Sequence, residues 1–305
     1  MKFLIIGAGG TGGSIGGFLA SIGEDVTLIS RGKTLKSLQE NGLIFRSDIK
    51  GDLKLKNIKA VGSEDYFGGA DVIFVCVKSY SLDEIIPFLQ RVSNSNTVII
   101  PILNGIGAGE HIAKKMETGI VLEGCIYIVA HQEDSGEFFQ IGKAAKIIFG
   151  PRRNQVVDLQ KLEEIRKILD SSGLKAFVSD DIERDAFQKF TFISTYAACA
   201  VYYNIKAAKF QQDTTYRQMF IDLNREILAV AEKKGIKFNT DLLESNLKII
   251  DNMLPFSTAS IQKDIEKGGK TEIEELVYYV VKMADELGVN VPNYRRISKD
   301  LKKRW

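Results

Sequence analysis

Three glycines near the start of the chain have the spacing of a phosphate-binding loop. Gly7-x-Gly9-x-x-Gly12 follows the apolar run Phe3–Ile6, which predicts a strand, and precedes Ser14–Ile22, which predicts a helix. In this context Gly7 permits a tight turn, Gly9 lets a phosphate approach the backbone, and Gly12 lets the helix pack closely on the strand. The free N–H groups at the start of the helix then face the anion. The alternative is a glycine-rich structural turn, and the strand–loop–helix context favours a dinucleotide.

A second apolar run, Val26–Ile29, completes a βαβ unit and indicates which dinucleotide the loop would hold. NAD-binding proteins place an Asp or Glu about 20 residues after the glycines to bind the ribose 2′-hydroxyl. Here Glu24 and Asp25 precede the strand, and Arg31 follows it with Lys33 close behind. Arg31 offers a guanidinium fork to a 2′-phosphate and a flat face to adenine. A solvated loop cation is the alternative; the missing acid and the arginine together favour NADP(H).

Two polar residues follow the next apolar runs. Lys78 ends the run Asp71–Val77, and Asn104 begins an Asn-Gly-x-Gly turn after Thr97–Pro101. Ligands of an open α/β sheet bind at the carboxyl ends of its strands, so both side chains would reach that edge. The amide of Asn104 can both donate and accept there. The alternatives are an ordinary lysine in solvent and a plain Asn-Gly turn.

A lysine on an apolar helix face is the candidate acid. Phe192, Ile193 and Tyr196 lie three, four and seven residues after Lys189, so they share its face of a predicted helix. Such a lysine either extends its head group to water or has a function. Placed at a reacting carbonyl, it would donate a proton.

The elements that position these residues predict an α/β fold, a Rossmann-type doubly wound parallel sheet followed by an all-helical C-terminal domain. The length of 305 residues favours two domains. Further strands are predicted at Ile120–Leu122, Tyr127–Ala130, Phe138–Ile141 and Lys146–Phe149, and helices at Leu82–Val92 and Val156–Ser171. From Ile182 onward the pattern is helical, so we predict an NADP-binding domain over residues 1–180 and a helical substrate and catalytic domain over 181–305.

Composition narrows the class of protein. The net charge of +2 gives no case for a nucleic acid or a membrane surface as a partner. Three isolated cysteines fit a reducing compartment, and two histidines argue against a His-rich metal site, so no metal is predicted. The chain enters a strand at its start and has no run of 18 apolar residues, so we expect neither a signal peptide nor a membrane span. A cytoplasmic location follows as the expectation.

Taken together, these motifs resemble the ketopantoate reductase (2-dehydropantoate 2-reductase) family. The resemblance spans nearly the whole chain, in the family's order. It includes the glycine loop, Arg31, Val77-Lys78, Leu103–Gly107, Phe187-Gln-Lys189-Phe, and the stretch Ser260–Glu274 that looks like the family's second signature.

The resemblance implies roles for single residues. Lys189 would be the general acid, Glu272 would meet the cofactor ribose or hold Lys189, Ser260 would bind the substrate carboxylate, and Asn104 would touch both cofactor and substrate. The implied cofactor contacts are Gly7, Ala8, Gly9, Gly10, Thr11, Gly12, Arg31, Lys78, Asn104, Ala130 and Glu272.

Glu272 and Ser260 also have plainer interpretations. Thr271-x-x-Glu274 is a capping-box pattern that would make Glu272 the first helical residue, where a carboxylate is favoured. Ser260 and Asp264 lie four residues apart, as on a solvated helix face.

The sequence departs from the family at two positions. The family pattern has Asn four and eight residues after the lysine, where this chain has Ile193 and Ala197. Ser194, Thr195 or Asn204 are candidates to replace them. Because a site built for a hydroxyl and a site lined by isoleucine select different molecules, the departure bears on the substrate.

The implied function is NADPH-dependent reduction of 2-dehydropantoate to pantoate, as in pantothenate and coenzyme A biosynthesis, in a cleft between the two domains. One alternative is an NADP-dependent reductase of a more apolar 2-keto acid; another is an NADP-binding sensor without turnover. The partner is a small 2-keto acid, and a homodimer is the candidate assembly.

Overall fold

The computed structural model describes residues 1–56, 58–133 and 136–304. They form two compact units. The first comprises Met1–Leu103 and Gly107–Ile182, and the second comprises Asn104–Ile106 and the chain from Glu183 onward. The turn after the fifth strand of the parallel sheet therefore leaves the first unit for three residues. Nothing in the sequence pattern indicated this exchange.

The first unit contains eleven strands and five helices among its described residues. The strands are β1 (Lys2–Ile6), β2 (Asp25–Ile29), β3 (Leu43–Ser47), β4 (Gly51–Leu55), β5 (Lys59–Val61), β6 (Val72–Val75), β7 (Val98–Pro101), β8 (Ile120–Val121), β9 (Glu123–Gln132), β10 (Phe138–Gly150) and β11 (Lys175–Val178). The helices are α1 (Gly10–Ala20), α2 (Gly32–Asn41), α3 (Leu82–Val92), α4 (Ala108–Ala113) and α5 (Leu159–Ser172).

Six strands form a parallel sheet in the order β5-β2-β1-β6-β7-β8. Its central strands read as continuous apolar runs because both faces are covered. Phe3 and Ile5 lie in one core together with residues of α1, and Leu4 and Ile6 lie in another together with residues of α3. The predicted Rossmann-type sheet is confirmed.

A second sheet, which was not predicted, covers one face. Its order is β11-β10-β3-β4, and β9 pairs antiparallel with β10. The two strands predicted at Phe138–Ile141 and Lys146–Phe149 are one strand, β10, whose pairing register shifts between Ile141 and Ala145. Gly142, with φ +77°, lies in the shift, so the apolar alternation is interrupted although the strand continues.

Helix α1 begins four residues before the predicted Ser14. Glycines have weak helix propensity, so the pattern Gly10–Gly13 did not predict a helix. Helix α1 packs on β1 and β2 of the parallel sheet and on β3, β9 and β10 of the second sheet. Tertiary packing therefore stabilises the first turn of α1, which the helix propensity of its residues would not stabilise.

The second unit is helical, as predicted, over its described residues. Its helices are α6 (Ile182–Tyr203), α7 (Ala207–Gln212), α8 (Thr214–Lys233), α9 (Leu242–Asp251), α10 (Ser260–Glu266), α11 (Tyr279–Leu287) and α12 (Pro292–Leu301), with a π-helical turn at Glu274–Tyr278. Their shared core includes Phe190, Phe210, Phe220 and Tyr294. Across the part of the chain that the structure describes, no helix has both the length and the apolar character needed to cross a bilayer.

Candidate active site

The glycine loop between β1 and α1 has the geometry of a phosphate-binding site. Gly7 has φ +95°, a conformation that favours glycine. A Cβ on Gly12 would lie 2.2 Å from the Gly7 carbonyl oxygen, so the helix can approach the strand only without a side chain there. A Cβ on Gly9 would meet no protein atom within 4 Å. Gly9 therefore faces open space beside the start of α1.

The start of α1 carries no competing group. Gly9 is its N-cap and makes no side-chain capping bond, and the first turn contains no acidic residue. The first N–H groups of a helix have no partner within it, and its N-terminal end is positive. These residues fit the pyrophosphate of a dinucleotide.

Strand β9 borders this loop. A Cβ on Gly10 would lie 2.8 Å from the Ala130 carbonyl oxygen and 2.6 Å from the His131 Cα. Ala130, a predicted cofactor contact, therefore lies beside the loop. Ala8 is buried and Thr11 is half-buried in the same segment.

We expect Gly9→Ala to weaken NADPH binding by about tenfold while leaving stability unchanged, because the added methyl group meets only the space that the pyrophosphate needs. The φ of Gly9 is −87°, so alanine is not strained there. Nicotinamide fluorescence titration and the midpoint temperature of unfolding measure the two quantities. Gly69→Ala is the control, since Gly69 is exposed and an added Cβ would make only an ordinary contact there, 3.8 Å from the Val92 carbonyl oxygen. Wild-type affinity in Gly9→Ala would exclude the loop as the phosphate site.

Three charged side chains lie on elements that follow β2 and β6. Arg31 is the N-cap of α2, and its side chain is 88% exposed. Lys78 is half-buried and precedes the 3₁₀ turn Ser79–Ser81. Glu84, in the first turn of α3, lies 3.8 Å from Arg31 between carboxylate and guanidinium. The sequence places no carboxylate at the end of β2, but the fold brings one there from α3.

Lys189 and Asn104 are brought together within the second unit. Lys189 Nζ donates a hydrogen bond to Asn104 Oδ1 at 3.1 Å. Both residues are half-buried, and Ile106, two residues after Asn104, packs on the core of this unit. The Asn-Gly turn and the helical lysine, which the sequence indicated separately, therefore form one polar cluster.

The three residues considered as replacements for the family's asparagines have different surroundings. Ser194 and Thr195 are fully buried: Ser194 donates to the Leu276 carbonyl at 2.6 Å, and both hydroxyls face the Tyr294 hydroxyl. Asn204 has φ +52° directly after α6, where it ends the helix. The family positions themselves hold a half-buried Ile193 and a buried Ala197.

Glu272 is 4% exposed and lies at the start of the helical segment that leads into α11. Its carbonyl accepts from the Leu276 N–H at 3.0 Å, and the helix begins at Ile273. Glu272 therefore directly precedes the first helical residue, whereas the capping-box pattern predicted it to be that residue. The π-helical turn follows at Glu274, and Ser194 binds the Leu276 carbonyl within it. Such turns interrupt regular hydrogen bonding and are frequent at functional sites.

Ser260 is exposed as the first residue of α10. A buried residue that the sequence interpretation missed, Gln262, holds this helix in place. Its side chain accepts from the Ala259 N–H at 2.9 Å and donates to the carbonyls of Ala200 and Ile205. Ser260 therefore stands on a helix start that is tied to the end of α6.

Glu123 is a second residue that the sequence interpretation missed. Its carboxylate accepts from the Gly109 N–H at 2.9 Å at the start of α4. Burial raises the pKa of Glu123 from 4.5 to about 7, against the lowering effect of the backbone hydrogen bonds and of Arg152. A single glutamate in an otherwise apolar strand carries no spacing signal that would have identified it.

We expect the stability of the protein to fall as the pH rises from about 4.5 to 7, because the folded state keeps the Glu123 proton where the unfolded chain loses it. Glu123→Gln should remove this pH-dependent loss of stability, which amounts to about 2 kcal/mol once the partial exposure of the side chain is taken into account. Urea unfolding of both proteins across this pH range measures it. Glu64→Gln, an exposed control, should keep the wild-type pH dependence.

Comparison with known proteins assigns the family. A family model described as ketopantoate reductase PanE/ApbA matches residues 3–154, and the model of the C-terminal part matches residues 181–304. The chain belongs to the ketopantoate reductase family. It is therefore an oxidoreductase that uses a nicotinamide cofactor, as the glycine loop predicts. Among the described residues, no group of three or more His, Cys, Asp or Glu side chains could hold a metal ion.

The proteins that are similar to this chain carry names of different activities. An uncharacterised oxidoreductase, YkpB of Bacillus subtilis, is 29% identical over 296 residues, covering 96% of this chain and 95% of its own. A 2-dehydropantoate 2-reductase of Pyrococcus horikoshii is 27% identical over 300 residues, with coverages of 96% and 93%. The solved structure of a D-mandelate dehydrogenase with NADH and anilino(oxo)acetate is 21% identical with a TM-score of 0.86, covering 98% and 96%.

Proposed function

We propose that this protein reduces 2-dehydropantoate to pantoate with NADPH. The observation that carries the proposal is the hydrogen bond from Lys189 to Asn104, because it joins the candidate acid to an amide at the turn after β7. The membership of the ketopantoate reductase family supports the same reaction.

When bound, the cofactor would supply a hydride for the ketone carbon of the substrate, and negative charge would then develop on the ketone oxygen. The ammonium group of Lys189 donates a hydrogen bond to this oxygen and then a proton, so the product is an alcohol. Asn104 Oδ1 accepts one of the three Lys189 donors and so orients the ammonium group. The amide NH₂ of Asn104 is a donor for the cofactor or the substrate.

Two further residues have proposed roles at the ligands. The hydroxyl of Ser260, exposed at the start of α10, binds the substrate carboxylate. Glu272, buried beside the π-helical turn, accepts from a ribose hydroxyl or from Lys189. The glycine loop, Arg31 and Lys78 bind NADPH, with Arg31 on the 2′-phosphate.

A second candidate is an NADP-dependent reductase of a more apolar 2-keto acid. Ile193 and Ala197 favour it, since they place apolar groups where the family pattern has amides. The D-mandelate dehydrogenase that shares this fold is an oxidoreductase of a different substrate. A sensor without turnover is the third candidate, and the combination of Lys189, Ser260 and Glu272 argues against it.

NADPH oxidation with a panel of 2-keto acids tests the three candidates. The panel contains 2-dehydropantoate, phenylglyoxylate and pyruvate at equal concentrations. The highest kcat/KM for 2-dehydropantoate supports the proposal, the highest for phenylglyoxylate supports the apolar substrate, and no turnover with NADPH bound supports the sensor. Ile193→Asn should shift preference toward 2-dehydropantoate, because an amide can bind its hydroxyl. The homodimer and the cytoplasmic location remain predictions.

A further inference from the structure

Arg31, which the proposed function places on the 2′-phosphate, forms a pair of opposite charges with Glu84, a residue to which that function gives no role. Arg31 follows β2 and Glu84 lies in the first turn of α3, after β6. The strands β2 and β6 flank β1 in the parallel sheet, on either side of the glycine loop. The carboxylate and the guanidinium are 3.8 Å apart, and the side chains are 60% and 88% exposed.

The neighbouring acid on α3 has other partners. Asp83 Oδ1 lies 2.6 Å from His111 Nε2 and 2.6 Å from Lys115 Nζ, and the hydrogen bonds from Lys115 and His111 hold the pKa of Asp83 below its ordinary value. Asp83 therefore faces α4, whereas Glu84 faces Arg31. The two adjacent acids differ in surroundings but not in charge.

An exposed pair at this separation contributes little to folding, because solvent and salt screen it. Its position is what distinguishes it. In dinucleotide-binding folds, a carboxylate near the end of the second strand favours the ribose 2′-hydroxyl of NAD, and an arginine there accommodates the 2′-phosphate of NADP. This fold holds both groups within 4 Å of each other, one from each side of the loop.

We propose that Glu84 is a specificity-determining residue that opposes Arg31 and narrows the preference for NADPH over NADH. This inference rests on the proposed binding of the 2′-phosphate by Arg31. A phosphate on the guanidinium would share it with the Glu84 carboxylate, so two anions would lie within several ångströms. The 2′-hydroxyl of NADH meets no such repulsion and can donate to the carboxylate.

Glu84→Gln tests the proposal in the full-length protein. We expect it to lower the Kd of NADPH by about three- to fivefold at low ionic strength, and to leave the Kd of NADH unchanged or raise it. Nicotinamide fluorescence titration gives both constants without a substrate. Added salt should reduce the NADPH effect, since screening weakens exposed charges.

Asp83→Asn is the matched control. It removes the same negative charge at the adjacent position of α3, but the Asp83 carboxylate contacts His111 and Lys115 instead of Arg31. It should leave the ratio of the two Kd values within about twofold of wild type, as expected for a screened charge. An unchanged ratio in Glu84→Gln, or an equal change in Asp83→Asn, would overturn the assignment of Glu84.

Arg31→Ala separates failure of this inference from failure of the proposed cofactor site. If Arg31→Ala weakens NADPH selectively and Glu84→Gln changes nothing, Arg31 binds the phosphate and Glu84 has no role. If Arg31→Ala weakens both cofactors equally, the 2′-phosphate assignment itself is wrong, and the inference falls with it. Failure of the 2-keto acid panel concerns the reaction and leaves these binding constants interpretable.

Discussion

Replacing Lys189 by alanine should lower kcat by about 10²–10⁴-fold, the usual effect of losing a general acid. The affinity for NADPH should stay nearly unchanged, because the glycine loop and Arg31 belong to other elements. The ketone oxygen of the substrate would lose both its hydrogen-bond donor and its proton source. Turnover under saturating NADPH with the best substrate of the panel measures the effect.

Gln188→Ala is the control for Lys189→Ala, since Gln188 is exposed on the adjacent position of α6. It should retain turnover. Asn104→Ala should reduce kcat less than Lys189→Ala does, because it removes the group that orients the ammonium and not the proton donor. Wild-type turnover in Lys189→Ala would refute the mechanism and require a different acid or the sensor interpretation.

Glu272→Ala distinguishes the two interpretations of that carboxylate. If the side chain meets the cofactor ribose or Lys189, the substitution should lower both kcat and NADPH affinity. If it is only a charge at a helix start, stability alone should fall, by about 0.3–1 kcal/mol. Kinetics and thermal unfolding of the same preparation separate these outcomes.

Replacing Arg31 by alanine should weaken NADPH binding by about 1–3 kcal/mol, the range for hydrogen bonds to charged groups. The affinity for NADH should fall much less, because NADH has no 2′-phosphate for the guanidinium to bind. The side chain is exposed, so its removal leaves no cavity and the fold should not change. Titration of wild type and variant with both cofactors measures the difference.

Lys33→Ala controls for the loss of any cation in this region, as Lys33 is exposed in the first turn of α2. We expect Lys33→Ala to change the affinities for NADPH and NADH by a small and equal factor. Equal losses of NADPH and NADH in Arg31→Ala would contradict the assignment of the 2′-phosphate to this residue.

Local patterns were sufficient to predict five of the six strands of the parallel sheet and the helical character of the second half, but not the short edge strand β5. The helix predicted at Leu82–Val92 is α3 with the same bounds, because its apolar residues recur at helical spacing on one buried face. Continuous apolar runs identified the strands β6 and β7, since a parallel sheet buries both faces. The glycine spacing predicted the loop, because Gly7 and Gly12 meet local steric requirements that only a residue without a Cβ satisfies, while Gly9 leaves open space beside the helix start.

The tertiary structure alone decided which distant groups meet. The second sheet depends on pairing between β3 and β10. These strands lie far apart in the sequence, so no local pattern indicates that they pair. Ser194 and Thr195 proved to be interior hydroxyls because α12 brings Tyr294 to them. The contact of Lys189 with Asn104, the carboxylate of Glu84 beside Arg31, and the desolvation of Glu123 likewise depend on elements that fold together. Residue type and spacing determine which chemistry the chain carries, whereas long-range packing determines which groups share a site and how strongly their charges interact.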